Sequence, residues 1–237
     1  MRRVLSLALV LGLAAVQSAS AATVFYDFGD SAQQTPGNYN NVTVNPPNDT
    51  LNLLNSIDST GASTGITLAM SGFFTGSNQN GPTTPTGDAA IFSGQATRDN
   101  AFGHAAAFGV NPLTPMGTVV FGGLDGSGAT AYDFTFFASR TGVSDNREAL
   151  YSLTGANSGS TTLNASGNTS QVATAAGIIP TSAGVITLNV SPGANNNSAS
   201  QFYYLGAIRL ESSPAIPEPT SLAIAGLAGA ALLFRRR

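Results

Sequence analysis

Apolar and polar positions along this chain alternate in short runs, and Gly, Asn, Pro and Ser cut the runs apart. The run "AYDFTFFASR" (131–140) alternates most strongly: extended, it puts Tyr132, Phe134, Phe136 and Ala138 on one face. "TVFYDF" (23–28), "NVTV" (41–44), "GITLAMSGFF" (65–74) and "GTVVFGGL" (117–124) read as further strands. So do "REALYSLTG" (147–155), "STTLNAS" (160–166), "TSQVATAA" (169–176), "GVITLNVS" (184–191) and "QFYYLGAIRLE" (201–211). "TLNLLNSID" (50–58), if extended, carries Leu51, Leu53 and Ile57 on one side. Turn signals separate these runs at the spacing of a sandwich or barrel. Helical character is confined to a turn or two near Thr97–Phe102. The stretch "TGSNQNGPTTPTGDAA" (75–90) has no apolar pattern and is expected to be a long loop, a class that is often functional or mobile. The expectation is an all-β chain: a single β-sandwich or jelly roll over residues 23–211.

Composition narrows the function classes. Only 9% of the 237 residues are charged, against about 25% in ordinary globular chains. Between residues 23 and 216 four arginines face eleven acidic residues, a net charge of −7. Such a body lacks the basic footprint that nucleic acid requires. With no cysteine in the chain there is no thiolate nucleophile, iron–sulfur ligation or Cys-based zinc site.

The two ends depart from this pattern. Arg2 and Arg3 precede an apolar run, Val4–Val16, which is followed by Ser20-Ala21-Ala22. That order predicts a signal peptide over residues 1–22, cut after Ala21 or Ala22. Thirteen apolar residues reach about 20 Å as a helix, short of a bilayer's hydrocarbon core. At the other end, residues 212–219 read as a linker holding Pro217-Glu218-Pro219. Residues 220–237 then read as a hydrophobic helix, Leu222–Phe234, closed by Arg235, Arg236 and Arg237. The prolines forbid helix and regular strand pairing, so the tripeptide is expected to stay extended. The arginines mark the cytoplasmic side of a membrane.

Pro-Glu-Pro, an apolar run and terminal arginines, in that order, resemble the PEP-CTERM sorting signal of bacterial envelope proteins. The resemblance implies that the tail is recognised by an exosortase, a membrane-embedded processing enzyme. It also implies a route through the inner membrane to the cell surface or extracellular matrix, in the company of extracellular polysaccharide. More loosely, "GGLDGSGATAYDFTFFASRTGVSDNREALYSLTG" and "FYYLGAIRLE" resemble galactose-binding-like jelly-roll domains, which often bind carbohydrate and in some cases hold a structural Ca²⁺.

Within that resemblance, Asp27 and Asp30 on the first strand and Glu211 on the last are candidate calcium ligands, because jelly-roll topology brings those strands together. Asp125 in "GLDGSG" is a second candidate, and plain surface carboxylates are the alternative. Asp145 and Glu148 flank Arg147, which suggests an ion pair at a turn or the polar rim of a sugar site. Tyr39, Tyr203 and Tyr204 are the aromatics available for stacking on a sugar, although strand aromatics are mostly core. "GASTG" (61–65) matches the nucleophile-elbow pattern, and Ser63, Asp99 and His104 can be written as a triad. The elbow requires a helix after the serine, and "ITLAMSGFF" is β-rich, so no catalytic residue is expected and a turn explains the motif. The expected function is non-enzymatic display on the cell surface. A carbohydrate-binding module is the first alternative and a secreted hydrolase the second.

Overall fold

The computed structural model describes residues 22–44 and 51–215. The strands pair into two main sheets and a small third one. The five-stranded sheet has the order β11 (Ala173–Ile178), β8 (Thr130–Phe137), β14 (Ala207–Pro214), β1 (Thr23–Gly29), β2 (Tyr39–Thr43). The six-stranded sheet has the order β10 (Ser158–Asn164), β9 (Glu148–Thr154), β12 (Ile186–Pro192), β7 (Gly117–Gly122), β4 (Thr67–Ser71), β3 (Leu51–Leu53). A small third sheet joins β13 (Phe202–Leu205), β6 (Asn100–His104) and β5 (Ser77–Asn78). The β1–β2 pair is parallel and every other pair is antiparallel. The expected all-β sandwich is the fold.

The alternation on β8 holds: Tyr132, Phe134, Phe136 and Ala138 all enter the main core. They meet Val24, Tyr26 and Phe28 of β1 and the inward residues of the facing sheet, such as Leu68, Phe121, Tyr151 and Leu188. Aromatic contacts cross the sandwich. Phe121 lies 5.6 Å from Tyr26 and 5.3 Å from Phe134, ring centre to ring centre. Burial of such large rings dominates the stability of a sandwich core.

Four sequence expectations change. The run 50–58 is not one strand: pairing stops at Leu53, and Asp58 instead closes a tight turn by accepting the Thr60 and Ala62 N–H groups. The helical turn comes earlier, as α1 (Gly94–Thr97), with Ser93 Oγ accepting the Ala96 N–H as its cap. Residues 100–104 are strand, because β13, a hundred residues away, pairs with them. The last run, 201–211, is two strands broken at Gly206, where the chain passes from the small sheet into the five-stranded one; a β-carbon there would crowd Asn100 Oδ1.

The fourth change concerns the long loop. Its last residues, together with the segment that follows it, pack across the outer face of the five-stranded sheet. Ala89, Phe92 and Ala96 form a second apolar cluster with Phe137 and Ala207, flanked by Phe25, Tyr39 and Val172. Residues 87–97 therefore act as a cover over the sheet.

Candidate functional site

The tail motif is attached to the middle of the sheet. β14 runs between β8 and β1, and its register places Thr23 opposite Glu211 and Thr130 opposite Pro214. The chain thus enters and leaves at one end of the sandwich. Ala22 N–H donates to Ser212 Oγ at 3.1 Å, and Ser212 N–H returns a bond to the Ala22 carbonyl at 3.2 Å. The Ala215 N–H donates to the Ala129 carbonyl at 2.8 Å. Residues 212–214, expected to be linker, are therefore strand. Pro217, Glu218, Pro219, the Leu222–Phe234 run and Arg235, Arg236 and Arg237 lie outside the described residues, as does most of the expected signal peptide. Among the described residues no helix is long and apolar enough to cross a membrane.

The expected calcium trio does not assemble. Glu211 sits opposite Thr23, whereas Asp27 sits opposite Ala207, four residues or about 13 Å further along. Glu211 instead pairs with Arg209 at 2.9 Å. Asp30 is a cap: its carboxylate accepts from Ala32 N, Ser77 Oγ and Gln79 Nε2, and these bonds hold its pKa below the ordinary value. Asp125 is likewise spent on a turn, accepting from Ser127 N and Thr130 Oγ1. Among the described residues no group of three His, Cys, Asp or Glu side chains could share a metal ion.

What the fold does bring together is Asp27 and Asp99. Both lie on the outer face of the five-stranded sheet, at the end away from the tail. Asp99 follows α1 and lies over Gly29, where any β-carbon would overlap its carboxyl. Its Oδ2 accepts the Asp30 N–H at 2.6 Å. Asp27, two residues before Gly29 on the same face, accepts the Thr35 N–H through Oδ2 at 3.2 Å. Burial pushes the Asp27 carboxyl up to about 7, the negative Asp99 adding to the shift and the Thr35 contacts and Arg98 offsetting part of it. Burial raises Asp99 to about 6, against opposing help from the Asp30 N–H and Arg98.

The remaining candidates are dispersed or structural. Ser63 is exposed at the tail end, its hydroxyl donating to Asn55 Oδ1 at 2.8 Å, in the wall of a cleft of about 220 Å³ that Val24, Tyr132 and Leu210 share. His104 is buried at the other end among the rings of Phe74, Phe108 and Phe202. Asp99 is five residues from it along extended chain, about 16 Å. The triad is not formed. Arg147 pairs with Asp145 at 3.0 Å, donates to the Tyr204 hydroxyl at 2.6 Å and stacks over Phe202. Glu148 turns away to accept from Asn195. Tyr203 and Tyr204 are buried, and the Tyr39 hydroxyl accepts the Ser93 N–H, so all three rings serve packing.

Comparison with known proteins bears on the tail. Residues 215–237 match the family model of the PEP-CTERM protein-sorting motif. No curated protein and no solved structure matches the chain. The match begins at Ala215, the residue whose N–H makes the last sheet bond described. Domain and signal thus adjoin in sequence, and this is an exported protein carrying a PEP-CTERM sorting motif, which implies processing by an exosortase at the membrane.

Proposed function

We propose that this protein is displayed on the cell surface or in the extracellular matrix as a non-catalytic β-sandwich, after an exosortase has processed its tail near Pro217-Glu218-Pro219. The observation that carries the reading is the continuity of a central strand, β14, with the matched motif. A signal rooted in the middle of a sheet travels with a folded body. The dispersal of Ser63, Asp99 and His104 supports a role without acyl transfer. Association with extracellular polysaccharide is the finer part of the proposal, and a glycan array probed with the mature protein addresses it.

The sorting reading is tested on the C-terminus. Replacing Pro217-Glu218-Pro219 by three alanines is expected to leave full-length protein in the membrane fraction. Deleting residues 222–237 is expected to release the body with no membrane-bound precursor. Mass spectrometry of the surface-displayed wild type should find a truncated C-terminus. An intact tail through Arg237 would mean simple anchoring and would overturn the processing step.

A further inference from the structure

Six buried side-chain polar atoms lack a hydrogen-bond partner among the described residues, and four of them belong to one cluster: Asp27 Oδ1, Thr35 Oγ1, Asp99 Oδ1 and Arg98 Nε. Asp27, Thr35 and Asp99 are 3%, 2% and 0% exposed, so bulk water does not satisfy them. A buried carboxylate oxygen without a partner bears a large desolvation cost. Two such oxygens on one face of the sheet, on carboxyls near enough for Asp99 to act on Asp27 and from segments 72 residues apart in sequence, call for a shared partner.

We propose that this cluster binds one hard divalent cation of the calcium class, with Asp27 Oδ1, Asp99 Oδ1 and the Thr35 hydroxyl as protein ligands. The donor set is oxygen only, as such cations require, and their flexible coordination accepts water or carbonyl oxygens in the remaining positions. The charges fit. Two carboxylates and the Arg98 guanidinium leave a net negative charge at the site, and the nearby Asp30 carboxylate is occupied by Ala32, Ser77 and Gln79. The Arg98 Nε–H lacks a partner among the described residues and can donate to a water on the ion. The backbone is already arranged: Gly29 leaves space for Asp99, and the Asp30 and Thr35 N–H groups hold the second oxygen of each carboxylate. The site would tie β1 to the segment that covers the sheet. It does not depend on the sorting reading.

The test uses the purified full chain in detergent, CaCl₂ as the probe, and pH 7.5. Adding CaCl₂ at a hundredfold over Kd to chelator-treated protein is expected to raise Tm by about 5–10 °C. Calorimetry is expected to give one ion per chain. Asp99→Asn is expected to abolish the calcium-dependent rise. Thr35→Val, which keeps both carboxylates, is expected to weaken binding roughly tenfold and covers the case in which Asp99→Asn does not fold. A wild-type Tm indifferent to CaCl₂ would overturn the proposal and leave a shared proton as the partner of the two oxygens. An equal calcium-dependent rise in Thr35→Val and Asp99→Asn would overturn it too, since the ion would then sit elsewhere.

Discussion

Asp99 occupies the space that a side chain at position 29 would fill, and Gly29 is what lets its carboxyl lie flat on β1 and accept the Asp30 N–H at 2.6 Å. Gly29→Ala should therefore destabilise the fold by overpacking, by about 1–3 kcal/mol. The diagnostic is the pair. If the clash is with the Asp99 carboxyl, Asp99→Gly should reduce the further cost of Gly29→Ala, giving a non-additive cycle in urea unfolding. Strict additivity would place the clash elsewhere.

The same pair sets a pH dependence in the absence of divalent ions. Asp27 and Asp99 stand at about 7 and about 6 in the folded chain, above the ordinary 3.8. The native state thus holds more protons than the unfolded one between those limits, so its stability falls as pH rises. The contribution is full below about pH 4 and is lost by about pH 7. Thermal melts in excess chelator should show Tm declining across that window, and Asp27→Asn should flatten the decline. A Tm that rose from pH 5 to 7 would contradict the burial of the two carboxyls.

Across the sandwich, Phe136 stacks on Tyr151 with ring centres 4.5 Å apart and planes 8° from parallel, and the Tyr151 hydroxyl donates to the Tyr204 carbonyl at 2.8 Å. These contacts separate two costs. Tyr151→Phe keeps the stack and leaves one buried carbonyl unpaired, about 1–3 kcal/mol. Tyr151→Ala removes the ring and opens a cavity, about 3–5 kcal/mol. Comparable losses in the two variants would mean that the ring contributes little.

The difference between what could and could not be read from the sequence follows contact range. β8 was legible because its alternation is local and strict, and its four inward residues are those in the core. β6 was not, because "NAFGH" has no period of its own and becomes strand only by pairing with β13. The cover over the outer face was hidden for a related reason: Ala89, Phe92 and Ala96 are too sparse to mark a face. A signal existed on the other partner. Phe25, Tyr39 and Phe137 are aromatics at positions where an exposed sheet face would carry polar groups, so that face needed a cover. The calcium expectation chose the right neighbouring strands, β1 and β14, but not the register, which sequence spacing does not encode. Asp99 reaches Asp27 through the cover segment, and no local pattern announces it.

The junction between domain and tail yields the last prediction. Sheet bonding continues through Ala215, whose N–H is held by Ala129, while the Pro-Glu-Pro begins at Pro217. Only Ile216 separates the two. A processing enzyme binds extended, unpaired chain, so residues on the body side of the motif must leave the sheet to fill its cleft. Residues 212–215 are held by the Ala215–Ala129 bond and the ladder to β8. Releasing three or four such bonds costs about 3 kcal/mol at about 1 kcal/mol each. That corresponds to roughly a hundredfold in the accessible population. Inserting eight Gly/Ser residues between Ala215 and Ile216 removes this requirement and leaves the body and the motif unchanged. Pulse-chase labelling should then show the processed form appearing at least tenfold faster than in the wild type wherever access, and not the cut itself, limits the rate. Equal rates in the two chains would show that the enzyme reaches the motif with β14 still fully paired.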